Sequence, residues 1–244
     1  MTSTDDITTD DKTTENKTTD DKTIVQSYFN SVGFDRWQRI YGDGEVNKVQ
    51  LDIRVGHQQT VDTVLAWLEA DGNAAALSIC DAGCGVGSLS LPLAAMGAQV
   101  FSSDISEKMV EEAKTRAIAQ FGHDQNPQFL VQDLEKLAGH YHTVICLDVL
   151  IHYPKEQVSQ MLTHLSSLAT DRLIISFAPK TLAYTVLKKI GDFFPGPSKA
   201  TRAYLHPEAE IVAIFNSLGW TVGRTAMTKT RFYFSRLIEV KRVA

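Results

Sequence analysis

The sequence has no apolar run long enough to cross a bilayer. Its longest, residues 89–96 and 144–151, fall well short of the roughly 18 residues a spanning helix needs. No basic stretch leads into an apolar segment near the start, so nothing marks the chain for secretion. Cysteine is scarce: Cys80, Cys84 and Cys146 make an odd number without zinc-ligand spacing. That excludes a disulfide scaffold and fits a reducing, cytoplasmic compartment. The net charge of −5 lacks the basic excess of a generic nucleic-acid binder. What is present, 43% hydrophobic and 22% charged residues in 244, is enough for a substantial core, which excludes a disordered or fibrous chain.

The acidity is concentrated at one end. Residues 1–23 carry seven acids and three lysines, and the TTDDKT hexamer at 8–13 recurs at 18–23. With Ile7 as its one large apolar residue beyond Met1, this segment cannot bury enough surface to offset its ordering entropy. The expected organisation is a disordered tail over 1–22 and a single domain over 23–244. Within that domain, 23–72 forms a helical lid and lead-in helix, 73–178 a cofactor-binding core, 179–206 a substrate-lid insertion, and 207–244 a helix and hairpin.

From residue 77 onward, short apolar runs alternate with helically spaced ones. Strands are expected at 77–80, 99–102, 128–131, 144–147 and 173–177, and helices at 45–70, 88–96, 106–121, 154–168 and 207–218. Strand and helix in series mean an α/β, doubly wound, Rossmann-like sheet. The segments 220–224 and 230–240 follow one another through a turn, so a sheet of about seven strands, mostly parallel, should end in an antiparallel hairpin.

The strongest chemical signal is Asp81-Ala82-Gly83-Cys84-Gly85-Val86-Gly87 at the first strand-to-helix turn. Glycines there remove the Cβ atoms that would keep a ligand from the backbone, and the next helix presents free N–H groups. A dinucleotide site wants G-x-G-x-x-G, and Ser88 stands where its third glycine belongs. An acid followed by Gly83, Gly85 and Gly87 instead resembles motif I of the class I S-adenosylmethionine-dependent methyltransferases. Asp104, after the second strand, suits two ribose hydroxyls. Asp133, after the third, suits an adenine amino group or equally a helix N-cap. Arg54 is a candidate for the methionine carboxylate or an exposed helix arginine. His152, in the loop after the fourth strand, lies at the crevice expected beyond the strand ends, where an imidazole exchanges hydrogen bonds near neutral pH. No protein-bound metal is expected, because the remaining histidines show no ligand spacing.

Residues 28–37, 39–44, 52–57, 146–154, 178–180 and the Phe193-Phe194-Pro195-Gly196-Pro197-Ser198-Lys199 loop closely resemble the magnesium-protoporphyrin IX O-methyltransferases of chlorophyll biosynthesis, over essentially residues 22–243. The resemblance implies methyl transfer from S-adenosylmethionine to a propionate carboxylate of magnesium protoporphyrin IX. It implies Tyr41 beside His152 as the catalytic pair, although Tyr41 also reads as a lid-packing aromatic. It extends the cofactor set to Ile105, Met109, Gln132 and Leu147, and it implies an encounter with the magnesium chelatase large subunit and peripheral contact with photosynthetic membranes. Residues 180–202 carry a net charge of +4, and Lys180, Phe193, Phe194, Lys199 and Arg202 are the candidate contacts to an anionic, flat, apolar acceptor. On composition alone the same stretch also reads as a solvated basic helix face. Three rivals remain at this level: methylation of another small acceptor such as a quinone-precursor phenol, an NAD-dependent oxidoreductase, and a catalytically inert binding module.

Overall fold

The computed structural model describes residues 23–42, 44–72, 74–180 and 204–243. Two short helices come first, α1 over residues 23–29 and α2 at Val32–Ile40, followed by the long α3 at Lys48–Asp71. The start of α3 is fixed by a capping box in which Asn47 and Gln50 exchange side-chain and backbone hydrogen bonds. Then strands β1 (Ser78–Ala82), β2 (Gln99–Asp104), β3 (Gln128–Val131), β4 (Tyr141–Cys146) and β5 (Ala169–Phe177) alternate with helices α4 (Ser90–Ala95), α5 (Glu107–Phe121) and α6 (Lys155–Leu168). Helix α7 (Glu208–Ser217) leads into β6 (Trp220–Lys229) and β7 (Phe234–Arg242).

The seven strands lie in the order β3-β2-β1-β4-β5-β7-β6, with β7 antiparallel to both neighbours and the rest parallel. This is the doubly wound sheet with a terminal hairpin that the alternating pattern called for. Side-chain alternation sorts the strands between two cores. Ile79, Val100, Ile145 and Ile174 pack beneath α3 and α4 with Val61, Val64, Leu68 and Leu93. Cys80, Val144, Leu173, Ile175 and Phe177 pack on the opposite face against Met161, Leu162 and Leu165 of α6 and Phe215 of α7. Each fully buried aliphatic side chain contributes about 1.5–3 kcal/mol relative to exposure, which is why helices this short stay docked. Cys80, Cys84 and Cys146 are buried free thiols.

The boundaries differ from expectation where polar residues sit inside strands. β4 begins at Tyr141 and β5 at Ala169, three or four positions early. Strand β6 runs on to Lys229, placing the turn at residues 230–233 rather than directly after 224. It is the sheet's edge strand, so its 225–229 half alternates with solvent and carries little apolar signal. Its pairing with β7 shifts register between Val222 and Thr225.

The connections out of the parallel neighbours β1 and β4 run to opposite sides, to β2 and to β5, because the chain order reverses between them. Such a switch point opens a crevice beyond the carboxyl ends of the strands, and the N-terminal segment lies across it. Gln26 donates to the Ile105 carbonyl at 3.1 Å. Ser106 donates to Asn30 at 2.8 Å, and the Phe29 ring meets His152 edge-on at 5.6 Å. Among the described residues no helix is long and apolar enough to cross a membrane.

Candidate active site

After β1 the chain turns through Gly83, Gly85 and Gly87 at φ values of 86°, 52° and 82°, a region that side-chain-bearing residues rarely adopt. Gly83 is required twice over, since a Cβ there would collide with Val149 Cγ2. A Cβ on Gly85 would meet nothing within 4 Å, so the middle of the loop faces open space. The loop is held from below: the Gly83 and Cys84 N–H groups donate to the Ser103 carbonyl at 2.8 and 2.9 Å.

Asp81 lies beneath the loop at 2% exposure, where its carboxylate accepts from Ser90, whose hydroxyl in turn accepts from Ser102. Burial pushes its carboxyl up to about 6, against the opposing hydrogen bond from Ser90. Asp104 ends β2 and takes the Gly85 N–H on one oxygen at 3.0 Å and the Ser106 N–H on the other at 2.8 Å. Burial raises its carboxyl above the usual range, and those N–H groups oppose the shift. Each oxygen keeps a second lone pair for a hydroxyl.

Beyond Asp104 a cleft of about 550 Å³ opens between Ile105, Val131, Gln132 and Asp133 on one side and Thr23 and Gln26 on the other. Its size is in the range of small-ligand sites. Asp133 caps the following turn by accepting from the Glu135 N–H at 3.2 Å, so its cap reading and its place in the cleft hold together. The Gln132 side-chain amide donates to the Lys136 carbonyl. Met109 is 2% exposed and Leu147 6%, and Leu147 belongs to the core under α3 and α4.

His152 closes a one-turn 3-10 helix, Leu150–His152, between β4 and α6. Burial pushes its imidazole down to about 4, with the charge of Asp148 acting the other way, so the ring is neutral at physiological pH. Its Nδ1 is buried without a hydrogen-bond partner among the described residues. A chain of rings connects it to Tyr41: Phe29 contacts both His152 (5.6 Å) and Trp37 (6.3 Å), and Trp37 stacks on Tyr41 at 5.3 Å and 27°. Burial, followed by the charges of Asp148 and Asp104, raises the Tyr41 hydroxyl well above its usual range, so it stays protonated.

Arg54 is engaged with the backbone at the end of α2. Its guanidinium donates to the carbonyls of Ile40 (2.9 Å), Arg39 (2.6 Å) and Gly44 (2.9 Å). It therefore clamps the end of α2, where Tyr41 emerges, through Nε and Nη2. Lys180 is exposed, with its N–H on the His206 carbonyl at 2.9 Å. Phe193, Phe194, Lys199 and Arg202 lie outside the described residues.

The sequence reading missed Asp148. It is the one non-glycine residue at positive φ (57°) among the described residues. Its carboxylate accepts from His57 Nδ1 (2.9 Å), Tyr233 (2.7 Å), Ser176 (3.0 Å) and Ser235 (3.3 Å). Burial pushes the carboxyl upward, but the hydrogen bond and charge of His57 and the hydroxyls of Tyr233 and Ser176 prevail and hold it below the usual range. An acid directly after a buried strand was the only available signal. Its partners lie 28 to 91 positions away.

Two family models match: the magnesium-protoporphyrin IX methyltransferase C-terminus over residues 146–242 and a methyltransferase domain over 79–171. The chain is 65% identical over 219 residues to a magnesium-protoporphyrin O-methyltransferase of Synechocystis, covering 90% of this chain and 95% of that one. It is 55% identical to the chloroplastic magnesium protoporphyrin IX methyltransferase of Arabidopsis thaliana, over 88% of this chain and 70% of the other. The crystal structure of a Synechocystis magnesium protoporphyrin IX methyltransferase with bound SAH superposes with a TM-score of 0.85 at 64% identity, covering 91% of this chain and all of that one.

Proposed function

The chain belongs to the magnesium-protoporphyrin IX methyltransferase family, and on that premise we propose that it transfers the methyl group of S-adenosylmethionine to a propionate carboxylate of magnesium protoporphyrin IX, giving the monomethyl ester. The observation that carries this reading is an open glycine loop at the β1/β4 switch point together with a histidine, in the loop after β4, whose buried Nδ1 has no partner among the described residues.

The residues fit the cofactor: the Gly83–Gly87 loop leaves room above Gly85, Asp104 keeps acceptor capacity, and the cleft beside Ile105 and Asp133 can take an adenosine. S-adenosylmethionine supplies a sulfonium methyl group activated for nucleophilic attack. The acceptor carboxylate is already ionised near pH 7, so no base need remove a proton from it. What the protein must do is hold the oxygen in line with the methyl and keep water out, the kind of positioning that lowers a barrier by pre-ordering the reactants. His152 and Tyr41 are assigned to that task as hydrogen-bond donors to the carboxylate. The buried Nδ1 of His152 gains a partner when it carries the proton and meets an acceptor oxygen. Leu147, Met109 and Gln132 belong to the walls of the cofactor site, and the Arg54 clamp holds Tyr41 at its edge.

Lys180, Phe193, Phe194, Lys199 and Arg202 are assigned to the porphyrin, cations to its propionates and rings to its face. So poorly soluble a substrate favours hand-over from the magnesium chelatase large subunit at a photosynthetic membrane surface. Transfer of labelled methyl from S-adenosylmethionine to magnesium protoporphyrin, recovered as the monomethyl ester, tests the reading. Labelling of a quinone-precursor phenol in its place overturns it.

A further inference from the structure

The geometry points to Asp148, acting through His57, as the positioning device that holds Tyr41 over the crevice. This rests on the assignment of Tyr41 to the acceptor carboxylate made above.

Tyr41 stands at the C-terminal end of α2, a nine-residue helix outside the sheet. A side chain required to meet a substrate oxygen within a few tenths of an ångström needs a support more rigid than that. Two rings support it: Trp37, from the same helix, stacks on it at 5.3 Å, and His57, from α3, packs at 4.5 Å and 51°. Trp37 moves with α2, so of the two rings His57 is the one fixed to the body of the domain; the Tyr41 backbone is tied there separately, by Arg116 of α5 donating to its carbonyl at 2.9 Å and by the Arg54 clamp, which leaves the direction of the ring to His57. The His57 ring is itself locked by the Nδ1–Asp148 Oδ2 hydrogen bond of 2.9 Å.

Asp148 is immobilised from three further directions. Ser176 of β5 donates to Oδ1 and accepts the Asp148 N–H at 2.8 Å, Tyr233 from the β6–β7 turn donates at 2.7 Å, and Ser235 of β7 reaches it at 3.3 Å. Tyr233 also contacts Thr60, one turn beyond His57 on α3, at 3.1 Å, so the same acid fixes both the histidine and its helix. The positive φ of Asp148 is a costly backbone state that persists because the surroundings over-determine it. One residue further, Val149 presses on Gly83 of the cofactor loop. Asp148 is thus the point from which one branch fixes the glycine loop and the other, through His57, fixes Tyr41. Among the described residues the partly buried Asp148 carboxylate takes its side-chain hydrogen bonds from three hydroxyls and the His57 imidazole, and its orientation of that imidazole sets where Tyr41 can sit.

The test uses the full chain with His57→Asn, which keeps a donor near Nδ1 but removes the ring, and His57→Phe, which keeps a ring but removes the donor. Each is made alone and with Tyr41→Phe. Turnover of magnesium protoporphyrin, calorimetric S-adenosylmethionine affinity and thermal midpoint are measured for all. Both single His57 variants should lose about 10- to 100-fold in kcat, the scale expected of a misplaced reacting group, with cofactor affinity held within about two-fold. In the Tyr41→Phe background the same changes should cost less than about two-fold more, because groups acting as one unit are not additive. Purely structural damage would multiply with Tyr41→Phe instead, and that result overturns the inference, as does wild-type kcat in both His57 variants. Wild-type turnover in Tyr41→Phe alone would instead remove Tyr41 from the acceptor site, and the positioning device with it.

Discussion

Strand β5 carries a polar cluster at each end, and the two are built on opposite principles. Near its start, Arg172 is 3% exposed and pairs with Glu239 at 3.3 Å and Asp71 at 2.5 Å, while Arg224 reaches the same two acids at 2.5 and 2.7 Å. Near its end, Ser176 meets Asp148, whose other partners are an imidazole, a phenol and a second serine. Antiparallel β7 serves both ends, presenting Glu239 to the first and Ser235 to the second. Two cations against two anions compensate one another and tie α3 to the hairpin, which is a device for stability. An acid held by hydroxyls and an imidazole, with no guanidinium or ammonium among its described partners, gives up that compensation to hold particular atoms in particular places. The difference follows the sheet's polarity: ligands gather beyond the carboxyl ends of parallel strands, and the other end is free to be bolted shut.

Breaking the paired end should have the largest effect, and on stability alone. Glu239→Ala leaves Arg172 buried with Asp71 as its remaining counter-charge. Removing one partner of a buried pair costs about 3–5 kcal/mol, and with Asp71 still present about 3 is expected. A domain of this size should then melt roughly 6–12 °C lower. Below that transition kcat should stay within about two-fold of wild type; a large loss of kcat in a folded sample would erase the division between the two ends.

His152→Ala should do the reverse. Calorimetry should find S-adenosylmethionine affinity and the thermal midpoint nearly unchanged, while kcat falls by about 100-fold, the low end for a group acting on the reacting atoms. Wild-type turnover would remove His152 from the acceptor site. Asp104→Ala should be smaller and of a different kind, a loss of about ten-fold in cofactor affinity, equal to about 1.4 kcal/mol, from the acceptor lost to a ribose. Unchanged affinity would leave Asp104 with only its bonds to Gly85 and Ser106.

The two ends also differ in how much of them the sequence reveals. The glycine-loop side of the crevice is legible because its geometry is local: an acid, three glycines and the next strand's acid lie within 24 positions, and the positive φ of the glycines restricts the residue types. The strand pattern is legible for a similar reason, since alternating burial writes itself into composition. The polar networks are not local. His57 to Asp148, Arg172 to Glu239 and Thr60 to Thr228 join residues 91, 67 and 168 positions apart, and no periodicity announces which polar residue will meet which. Arg54 illustrates the same limit: its charge and place on α3 were readable, but not that α2 would turn its carbonyls back onto it. The 225–229 half of β6 was hidden by its edge position, and the Glu239 carboxylate accepts the Arg224 N–H at 3.2 Å beside that strand's register shift.

The smallest expected effect is a slope. At the paired end the hydrogen bond from Arg224 is the main cause holding the Asp71 carboxyl low; at Glu239, burial pushes upward but Arg224 outweighs it. Acids with folded values below the unfolded ones add stability that is present above the unfolded value, near 4, and is lost as pH falls through the folded values. At the cofactor end Asp81 is shifted the other way, up to about 6 by burial. Its folded form holds a proton that the unfolded form has released, so stability falls as pH rises from about 4 to about 6. The opposed signs predict a shallow optimum on the acid side of neutrality for the cofactor-free protein. Asp81→Asn, which keeps an acceptor for Ser90, should remove the falling limb between pH 4 and 6 and leave the acid limb set by Asp71 and Glu239 intact. Denaturant midpoints across that range read the slope directly. An unchanged falling limb in Asp81→Asn would mean that the proton is taken up elsewhere, with Asp104, raised by the same burial, next to be substituted.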